Sequence, residues 1–247
     1  MSRPTTVTPE PATRLIVALD FAEADAALAF ARQLDPAQCA LKVGFELFVV
    51  AGPALLQRLH DLGFRVFLDL KFHDIPNTVA AACRAAARTG VWLINVHASG
   101  GLEMMRAAHE AVRETNDTTA LLAVTVLTSS DAGTLREIGV SREPADQVGL
   151  LGELAIHKAG LEGLVCSAQE AAMLRRRLGE RPLLVTPGIR LEDTGGDDQK
   201  RVMTPERALE AGASAIVVGR PITRAPDPAA AMEAFVTSLN MPNDAVE

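Results

Sequence analysis

The chain has 247 residues, of which 48% are hydrophobic and 22% charged, a composition typical of globular proteins. Its net charge of −7 and its 4% of aromatic residues, with no Tyr, argue against a nucleic-acid partner, which needs a basic surface and stacking side chains. The three cysteines lack metal-ligand spacing, and no apolar run reaches the roughly 18 residues of a membrane span, so we expect a cytoplasmic protein with neither a disulfide framework nor a membrane anchor.

Short runs rich in Val, Ile and Leu alternate with longer amphipathic segments along the chain. Residues 1–13, rich in Thr and Pro, are expected to form a flexible arm. The predicted strands are Leu15–Asp20, Ala40–Gly44, Arg65–Lys71, Trp92–His97, Leu121–Thr128, Gly163–Ser167, Leu183–Pro187 and Ser214–Gly219. The predicted helices are Glu23–Gln33, Pro53–Leu62, Asn77–Arg88, Leu102–Thr115, Val148–Ala159, Gln169–Leu178 and Pro228–Leu239.

This alternation predicts an α/β protein with a single domain over residues 14–247, folded as a (β/α)₈ TIM barrel. Each strand–helix unit takes about 30 residues, close to the usual size of such a barrel. The nearly continuous apolar strands indicate burial on both faces, as in a parallel sheet covered by helices. A doubly wound open sheet is the alternative, but no G-x-G-x-x-G motif follows the first strand.

Charged residues lie at the predicted carboxyl ends of the first three strands, where barrel enzymes place their active sites. Asp20 ends the first strand, and Lys42 lies within the second. Asp69 and Lys71 are two residues apart on the third strand, so both side chains are expected to point into the barrel, with Asp74 in the loop that follows. Burying charges costs several kcal/mol each unless they are closely paired, so a linked array of these groups indicates a functional site.

The last two strands predict a phosphate site. Arg190 follows the seventh strand, and Gly219 and Arg220 end the eighth, where many barrels bind phosphate through backbone N–H groups and an Arg side chain. A polar segment after Arg190, with a Gly195–Gly196 pair, is typical of a mobile lid. Thr128 and Ser129 end the predicted fifth strand, where their hydroxyl groups could contact a polar ring or cap the next helix.

The segments LIVALD, ALKVG, LDLKFHDIPNT, VTPGIR and VVGR together resemble the orotidine 5′-phosphate decarboxylase family, from about Leu15 to Arg220. The resemblance implies a (β/α)₈ barrel that converts orotidine 5′-phosphate to UMP and CO₂ without a metal or an organic cofactor. It also implies a homodimer with active sites shared between the subunits. The arm before Arg14 lies outside the resemblance.

The resemblance also implies roles for individual residues. Lys71 would donate a proton, and Asp69 would lie beside the substrate carboxylate. The partner's site would be completed by Asp74 and Thr78. The other implied substrate contacts are Asp20 and Lys42 on the ribose hydroxyls, Thr128 and Ser129 on the pyrimidine, and Arg190, Gln199, Gly219 and Arg220 on the phosphate and lid.

Three other functions remain as alternatives. A Mg²⁺-dependent sugar-phosphate decarboxylase of the same barrel group resembles this chain in its Asp-x-Lys-x-x-Asp strand, but it holds the metal through an acid where this chain has Lys42. A Schiff-base aldolase would use Lys71 or Lys42 as a nucleophile, yet neighbouring carboxylates favour the non-nucleophilic ammonium form. A non-catalytic nucleotide-phosphate binder would have little use for alternating charges at the ligand's reactive edge.

Overall fold

The computed structural model describes residues 14–191 and 203–240, so the predicted N-terminal arm and most of the predicted lid, including Gly195 and Gly196, lie outside the described residues. Eight parallel strands close into one barrel in chain order, with β1 pairing β8. The strands are β1 (Leu15–Leu19), β2 (Ala40–Val43), β3 (Val66–Phe72), β4 (Leu93–His97), β5 (Ala120–Val124), β6 (Gly163–Val165), β7 (Leu183–Pro187) and β8 (Ala215–Val218). The predicted TIM barrel is confirmed.

The strands are buried on both faces, which explains their nearly continuous apolar sequences. One set of side chains, which includes Ile16, Phe67, Leu122 and Val185, fills the barrel interior. Trp92, immediately before β4, packs against this interior cluster. Side chains of the opposite parity join a larger cluster with the helices, so each strand presents every second residue to the barrel axis.

The helices lie outside the barrel, and most match the predicted segments. Their bounds are α1 (Ala24–Ala31), α2 (Phe45–Asp61), α3 (Pro76–Ala87), α4 (Gly101–Thr115), α5 (Ala132–Glu137), α6 (Pro144–Glu153), α7 (Ala168–Leu178), α8 (Pro205–Glu210), α9 (Arg220–Thr223) and α10 (Pro228–Asn240). The short helices α5, α8 and α9 were not predicted, because they are too short to show a clear apolar period. No helix in the described ranges is long and apolar enough to cross a membrane.

Two helices, α2 and α6, differ in extent from the prediction. Helix α2 begins at Phe45 rather than at Pro53, and it is kinked at Gly52, whose φ of 62° is outside the helical range. Glycine tolerates this conformation, and the N–H group that Pro53 lacks would have no helical partner at the start of a new segment. Helix α6 begins earlier than predicted and continues as a π-helical turn, Leu154–Ala159.

The fifth strand is shorter than predicted, which moves two predicted site residues. Strand β5 ends at Val124, because its neighbour β6 extends only to Val165. The Thr125 N–H and hydroxyl groups both donate to the Val165 carbonyl, and the chain then turns, with the Ser130 N–H group donating to the Leu127 carbonyl. Thr128 and Ser129 therefore lie in a turn and not at a strand end, which corrects the prediction.

Candidate active site

A cavity of about 250 Å³ opens at the carboxyl ends of the strands, as expected for a barrel enzyme. Its lining joins charged side chains from β1–β3, a basic and glycine-rich segment after β7 and β8, and an apolar floor that includes Phe67 and Val217. The predicted site residues that line the cavity are Asp20, Lys42, Asp69, Lys71, Thr128, Arg190, Gly219 and Arg220. Gln199 lies outside the described residues.

Ion pairs link the charged side chains of the first three strands. The Lys71 Nζ atom lies 2.7 Å from Asp69 Oδ1, and the Lys42 Nζ atom lies 3.2 Å from Asp69 Oδ2. Lys42 Nζ also lies 3.9 Å from Asp20 Oδ1, and the Asp20 side chain is 57% exposed. The Asp69 carboxylate thus lies between the Lys42 and Lys71 ammonium groups at the base of the cavity.

Asp69 is the most deeply buried of these groups, with 7% of its surface exposed. Burial would by itself raise the pKa of the Asp69 carboxyl, but the Lys42 and Lys71 ammonium groups and hydrogen bonds from Lys71 and Asn95 hold it below its usual range. The carboxyl is therefore an anion at neutral pH. Because a buried ion pair is often no more stable than an apolar replacement, stability alone does not account for this array.

The backbone of β3 departs from regular strand geometry at the site. Its pairing with β4 shifts between Leu68 and Phe72, and Lys71 has a φ of +43°, the only positive value at a non-glycine residue in the described part of the chain. The prediction that the Asp69 and Lys71 side chains lie on the same side of β3 is correct. Regular alternation of side chains along the strand is not the cause, because the strand is irregular there. Asn95 of β4, which sequence reasoning missed, hydrogen-bonds to both residues.

The basic side of the cavity follows β7 and β8. Gly188, with a φ of +83°, turns the chain at the cavity, and Arg190 and Arg220 line it. A backbone bridge between Ile189 and Met203 holds this segment against the residues before α8. At Gly219, a Cβ atom would lie only 3.0 Å from Asp20 Oδ2, so glycine lets the backbone approach the charged wall closely.

Other predicted residues lie outside the cavity. Ser129 is exposed in the same turn as Thr128 and does not line the cavity. Asp74 and Thr78 are exposed beside the end of β3. Among the described residues, no ion pair joins Asp74 to Lys71, so within one chain the linked array ends at Lys71. The contribution of Asp74 to a partner's site stays a prediction.

No group of three or more His, Cys, Asp or Glu side chains within 14–191 and 203–240 is placed to hold a metal ion. The position at the end of β2 carries Lys42, whose ammonium group would repel a cation. The arrangement instead suits a ligand that has an anionic group at the β7–β8 side and a reacting centre between Asp69 and Lys71.

Comparison with known proteins supports the family resemblance noted in the sequence, over most of the chain. A model of the orotidine 5′-phosphate decarboxylase / HUMPS family matches residues 13–235. An orotidine 5′-phosphate decarboxylase of Chromobacterium violaceum is 60% identical over 92% of each chain, and one of Chromohalobacter salexigens is 53% identical over 96% of this chain and 100% of its own. The crystal structure of orotidine 5′-phosphate decarboxylase from Lactobacillus acidophilus superimposes with a TM-score of 0.83 at 40% identity, covering 92% of this chain and 99% of its own. The chain belongs to the orotidine 5′-phosphate decarboxylase family.

Proposed function

We propose that this enzyme decarboxylates orotidine 5′-phosphate to UMP and CO₂, a step of pyrimidine biosynthesis. The observation that carries the proposal is the chain of ion pairs from Lys42 through Asp69 to Lys71 beside a cavity whose other side holds Arg190 and Arg220. The Lys71 ammonium group is placed to stabilise negative charge that develops on a carbon atom. Arg190 and Arg220 are placed to bind a phosphate group.

Contacts to its phosphate, its ribose and its pyrimidine position the substrate in the cavity. Its phosphate binds Arg190, Arg220 and the backbone at Gly219, with Gln199 as the further contact expected from the family resemblance. Its ribose hydroxyl groups bind Asp20 and Lys42, and its pyrimidine lies near Thr128, with Ser129 in the adjoining turn. This placement brings C6 of the pyrimidine, which carries the carboxylate, towards Asp69 and Lys71.

The reaction needs one bond broken and one formed at C6. The C6–carboxylate bond breaks, CO₂ leaves, and the electron pair remains on C6, where the ring offers little resonance stabilisation. The Lys71 ammonium group stabilises that pair electrostatically and then donates its proton to C6. Lys71 carries out both steps with the protein's own charges, so no cofactor is needed.

Asp69 holds Lys71 in place, and it adds a second contribution to the rate. Its carboxylate would lie beside the substrate carboxylate, and the repulsion between them is relieved as CO₂ leaves. Binding of the remote phosphate supplies the free energy needed to bring the two anions together. The same binding energy would close the segment that contains Gln199.

We also propose that the enzyme is a cytoplasmic homodimer whose two active sites are shared. Asp74 and Thr78 are exposed next to the site, where they could reach a partner's cavity. Large apolar side chains are also exposed on the segments after β2 and β3: Phe45, Val49 and Ile75 are 55%, 81% and 67% exposed. Such a patch is typical of a subunit interface. The three free, buried thiols suit a reducing compartment.

The alternative within the same family is a Mg²⁺-dependent sugar-phosphate decarboxylase. The Lys42 ammonium group lies 3.2 Å from Asp69 and 3.9 Å from Asp20. It therefore contacts the two carboxylates that a metal ion would otherwise need as ligands. The relatives at 53% and 60% identity are named as orotidine 5′-phosphate decarboxylases. Both observations favour the nucleotide substrate.

The test is the ultraviolet absorbance change of orotidine 5′-phosphate with purified protein in excess EDTA. We expect rapid conversion to UMP by the wild type and by Lys158→Ala, which removes an exposed lysine far from the cavity, but not by Lys71→Ala. Tight UMP binding without turnover by folded wild type would favour a nucleotide-phosphate binder. Turnover of a sugar phosphate that EDTA abolishes would favour the metal-dependent alternative.

A further inference from the structure

Asn95 of β4 is a fully buried polar side chain at the base of the site, and it does not line the cavity. It shares the inward-facing side of β4 with Leu93, which belongs to the barrel interior cluster. A buried amide is costly unless its donor and acceptor groups are both satisfied. The two hydrogen bonds of the Asn95 amide therefore indicate the role of this residue.

The two ends of the Asn95 amide bind two different catalytic residues. Its Nδ2 group donates to Asp69 Oδ1 over 2.7 Å, and its Oδ1 atom accepts from the Lys71 backbone N–H group over 2.7 Å. A carboxylate can only accept and a backbone N–H group can only donate, so the amide has one possible orientation. Asp69 Oδ1 thus receives both the Asn95 amide and the Lys71 ammonium group, while Oδ2 faces Lys42.

The Lys71 backbone needs this support because its conformation is unusual. The pairs Leu68–Ile94 and Phe72–Val96 leave three residues of β3 opposite Asn95 alone, so regular strand pairing is interrupted there. The φ of +43° is unfavourable for a residue with a Cβ atom and persists only when surrounding contacts impose it. The Asn95 side chain replaces the missing ladder acceptor for the Lys71 N–H group.

We propose that Asn95 is a positioning residue, which fixes the left-handed backbone of Lys71 and the plane of the Asp69 carboxylate so that the ammonium group points at the reacting carbon. Asn95 itself does not touch the substrate. The inference rests on the proposed function for its kinetic test, and on the geometry alone for its structural test.

The kinetic test compares Asn95→Leu with Thr119→Val. Thr119 is also buried, and its hydroxyl donates to the Val91 carbonyl away from the site, so this control removes a buried polar group without touching the catalytic pair. We expect Asn95→Leu to lower kcat about 10²-fold, the cost of misplacing catalytic groups by about 1 Å, with KM and the Kd of UMP changed less than about threefold. Thr119→Val should keep kcat within about twofold of wild type. Equal kcat values in the two variants would overturn the proposal.

Asn95→Asp is the second variant, nearly identical in shape and so the less disruptive to folding. The charged or titratable groups around this position are Asp69 and Lys71 of β3, which contact Asn95, Lys42 of β2 on the other oxygen of Asp69, and His97 of β4 with the His73 ring beside it. While neutral, the introduced carboxyl can still donate to Asp69, and once ionised it repels Asp69 instead. We therefore expect kcat nearest to wild type at acid pH and a fall as pH rises, a fall that wild type does not show. A loss independent of pH would mean a merely structural role and would contradict the proposal.

A crystal structure of Asn95→Leu separates failure of this inference from failure of the proposed function. If the wild type shows no turnover, the proposed function fails, but the structural expectation still stands. We expect Lys71 to leave the left-handed region and its Nζ atom to move away from Asp69 Oδ1. An unchanged Lys71 φ and an unchanged ion pair in the variant would overturn the positioning role, whatever the wild type catalyses.

Discussion

Lys71 and Arg220 line the same cavity from β3 and from the end of β8, and the proposed chemistry gives them different tasks. Lys71 lies against Asp69 at the reacting centre, whereas Arg220 would hold a phosphate several bonds from that centre. An interaction formed only in the transition state affects kcat, and one formed equally with the bound substrate affects mainly KM. The two side chains should therefore differ in the kinetic constant they control.

We expect Arg220→Ala to raise KM by about 10- to 100-fold, the value of a charge-assisted hydrogen bond, with a smaller effect on kcat. Lys71→Ala should lower kcat by at least about 10³-fold, because it removes both the proton donor and the charge beside C6. Steady-state kinetics would measure both, with Arg176→Ala, an exposed arginine on α7, as a matched control that changes neither constant. Equal losses in kcat for the two site variants, with KM unchanged, would contradict this division of roles.

The start of α7 shows how an element is fixed beside the cavity. Strand β6 ends at Val165, which lines the cavity together with Cys166, and only two residues separate it from the start of α7 at Ala168. Ser167 caps the helix by accepting from the Gln169 N–H group, and the buried Glu170 side chain accepts from the Ser167 N–H group over 3.0 Å. This capping box satisfies backbone donors in a buried connection.

We expect Ser167→Ala to lower the free energy of unfolding by about 1 kcal/mol, because it leaves a helix-terminal N–H group without its partner. Urea denaturation would measure the change, and Gln169→Ala, an exposed substitution in the same turn, should have little effect on the transition midpoint. KM and kcat of Ser167→Ala should match wild type, since its side chain does not line the cavity. A midpoint equal to that of Gln169→Ala would show that the cap contributes nothing.

Elements with strong local patterns could be predicted from the sequence, and elements set by distant contacts could not. Every strand was predicted, because burial on both faces leaves a run of apolar residues that turns then interrupt. The early end of β5 depends on the length of β6, and the shift in β3 depends on a hydrogen bond from Asn95; neither partner is local in sequence. A single polar residue in the apolar run WLINV was the available signal for Asn95.

At the scale of the whole molecule, one chain does not contain the complete site that the family resemblance implies. Asp74 and Thr78 do not line the cavity of their own chain, and they are exposed, as are large apolar side chains of α2 and of the β3–α3 loop. A two-fold dimer through this patch would bring each pair to the opposite cavity. The charged array of each site would then take its last carboxylate from the other subunit.

This arrangement predicts that two inactive variants restore activity when mixed. We expect Lys71→Ala and Asp74→Ala to be nearly inactive alone, whereas dimers formed from both contain one site with neither substitution. Random exchange of subunits should therefore restore activity in about a quarter of all sites. The measurement is turnover after co-refolding or slow exchange of the two variants, with a Lys71→Ala and Asp69→Ala mixture as the control that stays inactive. Absence of recovery, despite mixed dimers detected by mass, would contradict shared sites.

The position of Trp92 makes the protein convenient to study by fluorescence. It is the only tryptophan, the chain has no tyrosine, and its indole packs at the start of β4, one strand length of about 16 Å from the ends that carry the site. Emission excited at the indole band therefore reports whether the end of the barrel interior opposite the site is intact. One optical signal can thus monitor unfolding of each variant before nucleotide, which absorbs in the same ultraviolet range, is added to record catalysis.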